Sequence, residues 1–183
     1  MDEKGIVRLF LSRDENALVE AEKQYGKLCH YIANNILNSP LDAQECVNDT
    51  LLRAWNSIPP AKPKNLGAYL SKIARNLAID RYNAEKSQKR GANLEPLSLE
   101  ELDGCLSDGA SFVDEAILKE CINSFLRSLS KEKRIVFVQR YFYNAKVGDI
   151  AKNNGLTENN VKVKLLRLRK AFEEHVKKYG LGG

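Results

Sequence analysis

Val147-Gly148-Asp149-Ile150-Ala151-Lys152-Asn153-Asn154-Gly155-Leu156, followed by Thr157-Glu158-Asn159-Asn160-Val161-Lys162-Val163-Lys164, reads as a short helix, a glycine-marked turn and the start of a basic second helix. Ile150 and Ala151 suit a core-facing position. Gly155 suits the left-handed conformation that stops a helix, and Thr157 suits the N-cap of the next one. Beyond it Val161, Leu165, Leu168, Phe172 and Val176 recur at steps of four, three, four and four, which predicts a single buried stripe. Lys164, Arg167 and Lys170 lie off that stripe, and no acid intervenes between Asn160 and Phe172. A helix-turn-helix of this kind offers the first turns of its second helix to the DNA major groove. Helical hairpins with solvated basic faces are common, so the assignment draws on the rest of the chain.

The chain has 183 residues, enough for one ordinary domain or two small ones. It contains five prolines, none after Pro96, and strand-like alternation is nearly absent. The β-branched run Arg134-Ile135-Val136-Phe137-Val138 sits between charged helix formers and reads as a buried helix. The expected class is all-α. Net charge is only +5, but Lys72, Arg75, Arg81, Lys86, Lys89 and Arg90 crowd one segment, and Lys162, Lys164, Arg167, Arg169 and Lys170 another. From Ala92 to Leu118 there is no Lys or Arg, while seven acids occur, from Glu95 to Glu115. Two basic patches joined by an acidic connector point to two nucleic-acid contacts held by a segment that avoids DNA.

Cys29, Cys46, Cys105 and Cys121 show no CxxC spacing, and His30 and His175 are isolated, so free thiols are expected in place of a zinc site. No metal, cofactor or catalytic group is expected. No apolar run approaches the ~18 residues that span a bilayer, and no apolar leader opens the chain, which predicts a cytoplasmic protein without membrane insertion.

The N-terminal part reads as three or four helices. Leu18, Tyr25, Leu28, Ile32 and Ile36 mark a stripe between Ala17 and Leu37. Ser39-Pro40-Leu41-Asp42 is a helix start with Ser39 as N-cap and Pro40 at the first position. The helix that follows is expected to bury Ala43, Val47, Leu51, Ala54 and Ile58, leaving Asp42, Glu45, Asp49, Arg53, Asn56 and Leu52 opposite. A leucine amid carboxylates suits a protein-binding surface. Pro59, Pro60 and Pro63 force a loop carrying Lys62, Lys64 and Asn65. The next helix, 66 to about 90, is expected to bury Leu66, Leu70, Ile73 and Leu77. Elsewhere on its circumference it offers Tyr69, Lys72, Arg75 and Asn76, a mixture suited to single-stranded nucleic acid; for the nearby Trp55, core packing is the preferred reading. The expected organisation is a first domain over 1–90, an acidic flexible linker over 91–112 and a second domain over 113–183. The second domain's first helix would use Ile117, Cys121, Phe125 and Leu129, with Ser130 capping the next.

The chain as a whole resembles a bacterial sigma factor of the extracytoplasmic-function group, in the sigma-70 superfamily. Three blocks carry the likeness. Asp42-Ala43-Gln44-Glu45-Cys46-Val47-Asn48-Asp49-Thr50-Leu51-Leu52-Arg53-Ala54-Trp55 resembles the family's region 2.1–2.2. Ala68-Tyr69-Leu70-Ser71-Lys72-Ile73-Ala74-Arg75-Asn76-Leu77-Ala78-Ile79-Asp80 is similar to region 2.3–2.4, and the stretch from Leu129 through Lys170 resembles region 4. Residues Tyr25 to Val176 follow the family's order and spacing.

The resemblance implies a first domain that binds core RNA polymerase through Glu45, Asn48, Asp49 and Leu52. The same domain would hold the melted minus-ten strand with Lys62, Lys64, Asn65, Tyr69, Lys72, Arg75 and Asn76. The second domain would bind the minus-thirty-five duplex through Asn159, Asn160, Lys162, Val163, Lys164 and Arg167. There Asn bridges adenine, Lys or Arg reaches guanine and Val163 touches a thymine methyl, while Lys162 and Arg169 meet phosphates. An anti-sigma factor is a further partner within the family's pattern. Asn160, Val163 and Lys164 stand where the family often has Thr, Ser and Arg, and Leu166 replaces a frequent polar residue. The competing reading is a stand-alone helix-turn-helix regulator that binds duplex DNA as a dimer; a ligand-sensing domain, however, has no need of the basic, aromatic-bearing 69–90 segment. A nuclease would need carboxylates clustered beside the basic patch, which Asp80 and Glu85 alone do not provide.

Overall fold

The computed structural model describes residues 1–88, 97–98, 101–102 and 115–181, and among them every regular element is helical. The chain divides into two compact units, Met1–Leu94 and Glu95–Gly183.

The first unit holds α1 (Glu3–Leu11), α2 (Asn16–Leu37), α3 (Pro40–Ser57) and α4 (Leu66–Gln88). Local chemistry explains their boundaries. Asn38, in the left-handed region at φ 51°, ends α2. Ser39 Oγ then accepts the Asp42 N–H at 3.3 Å, with Pro40 in the first turn of α3. The start of α4 is capped twice. Asn65 Oδ1 accepts the Ala68 N–H at 2.7 Å, and Glu3 Oε1, reaching from α1, accepts those of Leu66 and Gly67 at 2.5 and 3.2 Å. A carboxylate at this end also meets the positive pole of the helix.

The core stripes run partly where expected. Ala43, Val47, Ala54 and Ile58 are buried, but Cys46 and Thr50 complete the stripe of α3 and Leu51 is only half-buried. On α4, Leu66 and Leu70 are buried, whereas Ile73 and Leu77 are half-buried and Ala74, Ala78 and Tyr82 take the interior. On α2, likewise, Ala17, Ala21 and Ala33 lie inside with Ile32 and Ile36, while Leu18, Tyr25 and Leu28 are half-buried. Small side chains let these helices approach closely, and the larger neighbours close over the edges of the contact.

The second unit holds α5 (Glu115–Ser128), α6 (Lys131–Phe137), a π-helical turn (Val138–Phe142), α7 (Val147–Asn154) and α8 (Glu158–Lys178). Its core is aromatic. Phe125 packs edge-on against Phe137 and Phe172, with ring centroids 5.3 and 5.1 Å apart. The Arg134–Val138 run is helical as expected, with Val136 and Phe137 buried and Ile135 exposed. Two expectations fail here. Ile117 is 46% exposed, because the interior face of α5 is set by Cys121 and Phe125. Ser130 occupies the N-cap position of α6 but its side chain makes no capping bond. Of the expected linker, residues 97–98 and 101–102 are described and pack within this unit, Leu97 and Leu102 being buried. Its remaining residues, the second domain's start at 113–114, Cys105, Lys89 and Arg90 lie outside the described residues.

Candidate functional site

On α3, burial of Ala43, Val47 and Ala54 turns Glu45, Asn48 and Leu52 to solvent, Leu52 being 58% exposed, with Asp49 half-exposed beside them. The sequence gives no hint of the group that joins them. Arg81, on α4, donates from Nη1 to Glu45 Oε2 at 3.1 Å and from Nη2 to Asp49 Oδ2 at 2.6 Å. Burial opposes the charge of Arg81, but the hydrogen bonds to Asp49 and Glu45 win and hold its guanidinium above its ordinary pKa. The face is therefore a leucine beside a carboxylate pair already gathered around one cation.

The 59–65 loop enters α4 through the two caps on Leu66, Gly67 and Ala68, so its last residue, Asn65, spends its Oδ1 on the helix start. Lys62, Lys64, Asn65, Lys72 and Asn76 are exposed. Tyr69 is only partly exposed; it packs on the core and donates to Ser57 Oγ at 2.8 Å, joining the ends of α3 and α4 at the loop's stem. Arg75 is half-buried, and burial pushes its guanidinium pKa down. Trp55 also serves the core, packed near Phe10 with Arg13 above its ring at 5.3 Å. Tyr69 and Arg75 are thus less accessible than the lysines and asparagines named with them.

In the second unit the turn behaves as read. Gly155 adopts φ 63°, Thr157 Oγ1 accepts the Asn160 N–H at 3.2 Å, and Val161, Leu165, Leu168, Phe172 and Val176 are all buried. That stripe fixes the rotation of α8. Asn159, Asn160, Lys162, Val163 and Arg167 are exposed. Lys164 is partly shielded and its Nζ meets Glu132 Oε1 of α6 at 2.8 Å, which draws the Glu132 carboxyl below its ordinary pKa. Arg169 does not project freely either. It donates to Glu101 Oε2 at 2.9 Å and to the Tyr141 hydroxyl at 3.3 Å. Glu101 also pairs with Arg140, while Ser98 takes its N–H to Asn144 Oδ1 at 2.7 Å and its hydroxyl to the Arg140 carbonyl.

No group of His, Cys, Asp and Glu suited to a metal occurs among the described residues. Cys29, Cys46 and Cys121 are buried free thiols. Burial, with the neighbouring Cys46, pushes the Cys29 thiol up to about 12, which keeps it protonated and unreactive at neutral pH. No described helix is long and apolar enough to cross a membrane.

Two family models match the chain. Sigma-70 region 2 covers residues 23–88, from within α2 to the end of α4, and Sigma-70 region 4 covers residues 119–172, from α5 into α8. No curated protein matches it significantly. These two matches, in this order and over most of the helical part of the chain, show that it belongs to the sigma-70 family, as a sigma factor that acts in transcription initiation with core RNA polymerase and a promoter, and their pairing is consistent with the extracytoplasmic-function type.

Proposed function

We infer that the work of initiation is divided among three surfaces of this chain. Glu45, Asn48, Asp49 and Leu52 on α3 dock on core polymerase, Leu52 supplying apolar area and the carboxylates meeting a basic counterface. Lys62, Lys64, Asn65, Lys72 and Asn76, together with the less accessible Tyr69 and Arg75, receive the melted minus-ten strand, whose bases must leave the stack to be read. Asn159, Asn160, Val163 and Arg167 face the base edges of the minus-thirty-five duplex, while Lys162 meets phosphate. Lys164, held against Glu132, reads a base only after leaving that partner.

The observation that carries this reading is the rotation of α8. With all five stripe residues buried, its first turns turn amides, cations and a valine outward with no acid from Asn159 to Phe172. The first domain over 1–90 and the second over 113–183 are the working units, and an anti-sigma factor is a partner suited to the same exposed faces. A cytoplasmic location accords with these partners.

The test profiles holoenzyme binding across single-base variants of the upstream element for the wild type, Lys164→Ala and Lys162→Ala. Lys162→Ala should weaken every site alike, and Lys164→Ala should relax preference at one position. Uniform weakening by Lys164→Ala makes it a phosphate clamp. Tight, dimeric binding to duplex without polymerase would favour a stand-alone regulator and overturn the reading.

A further inference from the structure

On the outer face of α8, the basic and amide side chains surround an apolar pair. Val163 is 39% exposed and Leu166 is 48% exposed. Residues three apart on a helix are surface neighbours, with Cβ atoms about 5–6 Å from each other, so the two side chains form one continuous patch. Lys162, Arg167 and Lys170 flank it, all exposed. The one cation between the pair in sequence, Lys164, is turned aside to Glu132. Single exposed leucines need no explanation, but a bare apolar pair ringed by exposed cations and amides, with the one nearby carboxylate, Glu132, already paired to Lys164, is a different arrangement.

The charge around the patch specifies a polyanion as what covers it. In the major groove of duplex DNA the apolar group on offer is the C5 methyl of thymine. Val163 and Leu166 lie six and nine residues beyond the Thr157 cap, or roughly 9 and 14 Å along the axis at ~1.5 Å per residue. A groove about 12 Å wide admits that part of a helix. Their separation matches one or two base steps of about 3.4 Å.

We propose that Val163 and Leu166 together read thymine methyl groups in the upstream promoter duplex, making Leu166 a specificity-determining residue. The proposal rests on the assignment of α8 as the DNA-reading helix. It gives the chain a preference for thymine at one or two positions under the middle of α8, set by methyl contact in place of the hydrogen bonds a polar residue at 166 would make.

The experiment uses holoenzyme assembled from the full chain and core polymerase. Upstream duplexes are selected by the wild type from a randomised pool, and each thymine is then replaced singly by deoxyuridine, which removes the methyl and nothing else. The expected result is a loss of about three- to fivefold at one or two positions, the worth of one buried methyl. Val163→Ala and Leu166→Ala should each erase the sensitivity at one position and leave the rest of the profile intact, and Leu166→Met should retain it. Tolerance of deoxyuridine everywhere, with other base changes still costly, overturns methyl reading while leaving α8 as the reading helix. Indifference to every base change across the element overturns the assignment of α8 itself. A Leu166→Ala variant that keeps the deoxyuridine profile but loses affinity for core polymerase makes the patch a protein contact, and the proposal fails.

Discussion

Replacing Glu45 and Asp49 together by alanine separates binding from folding at the α3 face. In the free chain both carboxylates meet Arg81, at 3.1 and 2.6 Å, and their side chains are 60% and 47% exposed. Exposed pairs contribute about 0.2–1 kcal/mol each, so their joint loss lowers stability by at most about 2 kcal/mol. A domain with about 5–15 kcal/mol in hand stays folded. At an interface, truncating one partner of a hydrogen-bonded charge pair that the contact buries costs about 2–5 kcal/mol. With tenfold for every ~1.4 kcal/mol, the double variant should bind core polymerase from about 30-fold to about 4000-fold more weakly. Arg81→Ala breaks the same two pairs from the other side but leaves both carboxylates in place. It should show the same small loss of stability and keep affinity within a few-fold of wild type. The assay is a titration of labelled protein with core polymerase, beside thermal unfolding of each variant. Wild-type affinity in the double variant, or an equal loss in Arg81→Ala, would refute the reasoning, the latter because the effect would then lie in the fold.

Three further outcomes follow from the geometry. Asn76→Ala, at an exposed position, should reduce promoter melting at limiting holoenzyme without touching core binding; Asn65→Ala should do the same but also lose about 1 kcal/mol of helix capping, which Asn65→Asp restores. Equal melting by both alanine variants would contradict the loop assignment. Glu101→Gln removes the charge that holds Arg140 and Arg169, where the three side chains are 32%, 19% and 32% exposed. Hydrogen exchange in the 138–145 segment should accelerate, with unit 1 unchanged, and unchanged exchange in 138–145 would show the Glu101 pairs to be incidental. For Cys29 the thiol is raised from 9.0 to about 12, so between those values the native state keeps a proton that the unfolded chain gives up. Stability is therefore full below about pH 9 and falls toward pH 12, by up to about 1.4 kcal/mol per pH unit. Denaturant titrations should show a shallower fall in Cys29→Ala, and an identical pH profile would remove the linkage.

What could be read from the sequence was local. Ser39, Thr157 and Gly155 act within three residues of themselves, and the stripe of α8 needs only a period of 3.6 and a partner surface. Periodicity weighs large side chains and so points to Ile73 and Leu77 on α4, whereas close packing here favours Ala74 and Ala78. The groups that tune the candidate surfaces were out of reach for a different reason. Arg81 meets Asp49 across 32 residues, Glu3 meets the start of α4 across more than 60, and Arg169 meets Glu101 across 68. Such pairs depend on how helices are stacked, which charge patterning alone does not encode. Charge patterning identifies the basic segments but does not show which of their cations are already held by a partner. Arg81, Lys164 and Arg169 are all held in this way.

The most direct measurement is run-off transcription with purified core polymerase on a linear template carrying a promoter selected by the holoenzyme. The account predicts a defined transcript that appears only when the chain is added. It also predicts that the transcript is lost when the upstream element is replaced, and lost again when core polymerase cannot bind the Glu45→Ala, Asp49→Ala double variant. A chain that binds the same duplex alone and leaves the start site and transcript yield of core polymerase unchanged would contradict it.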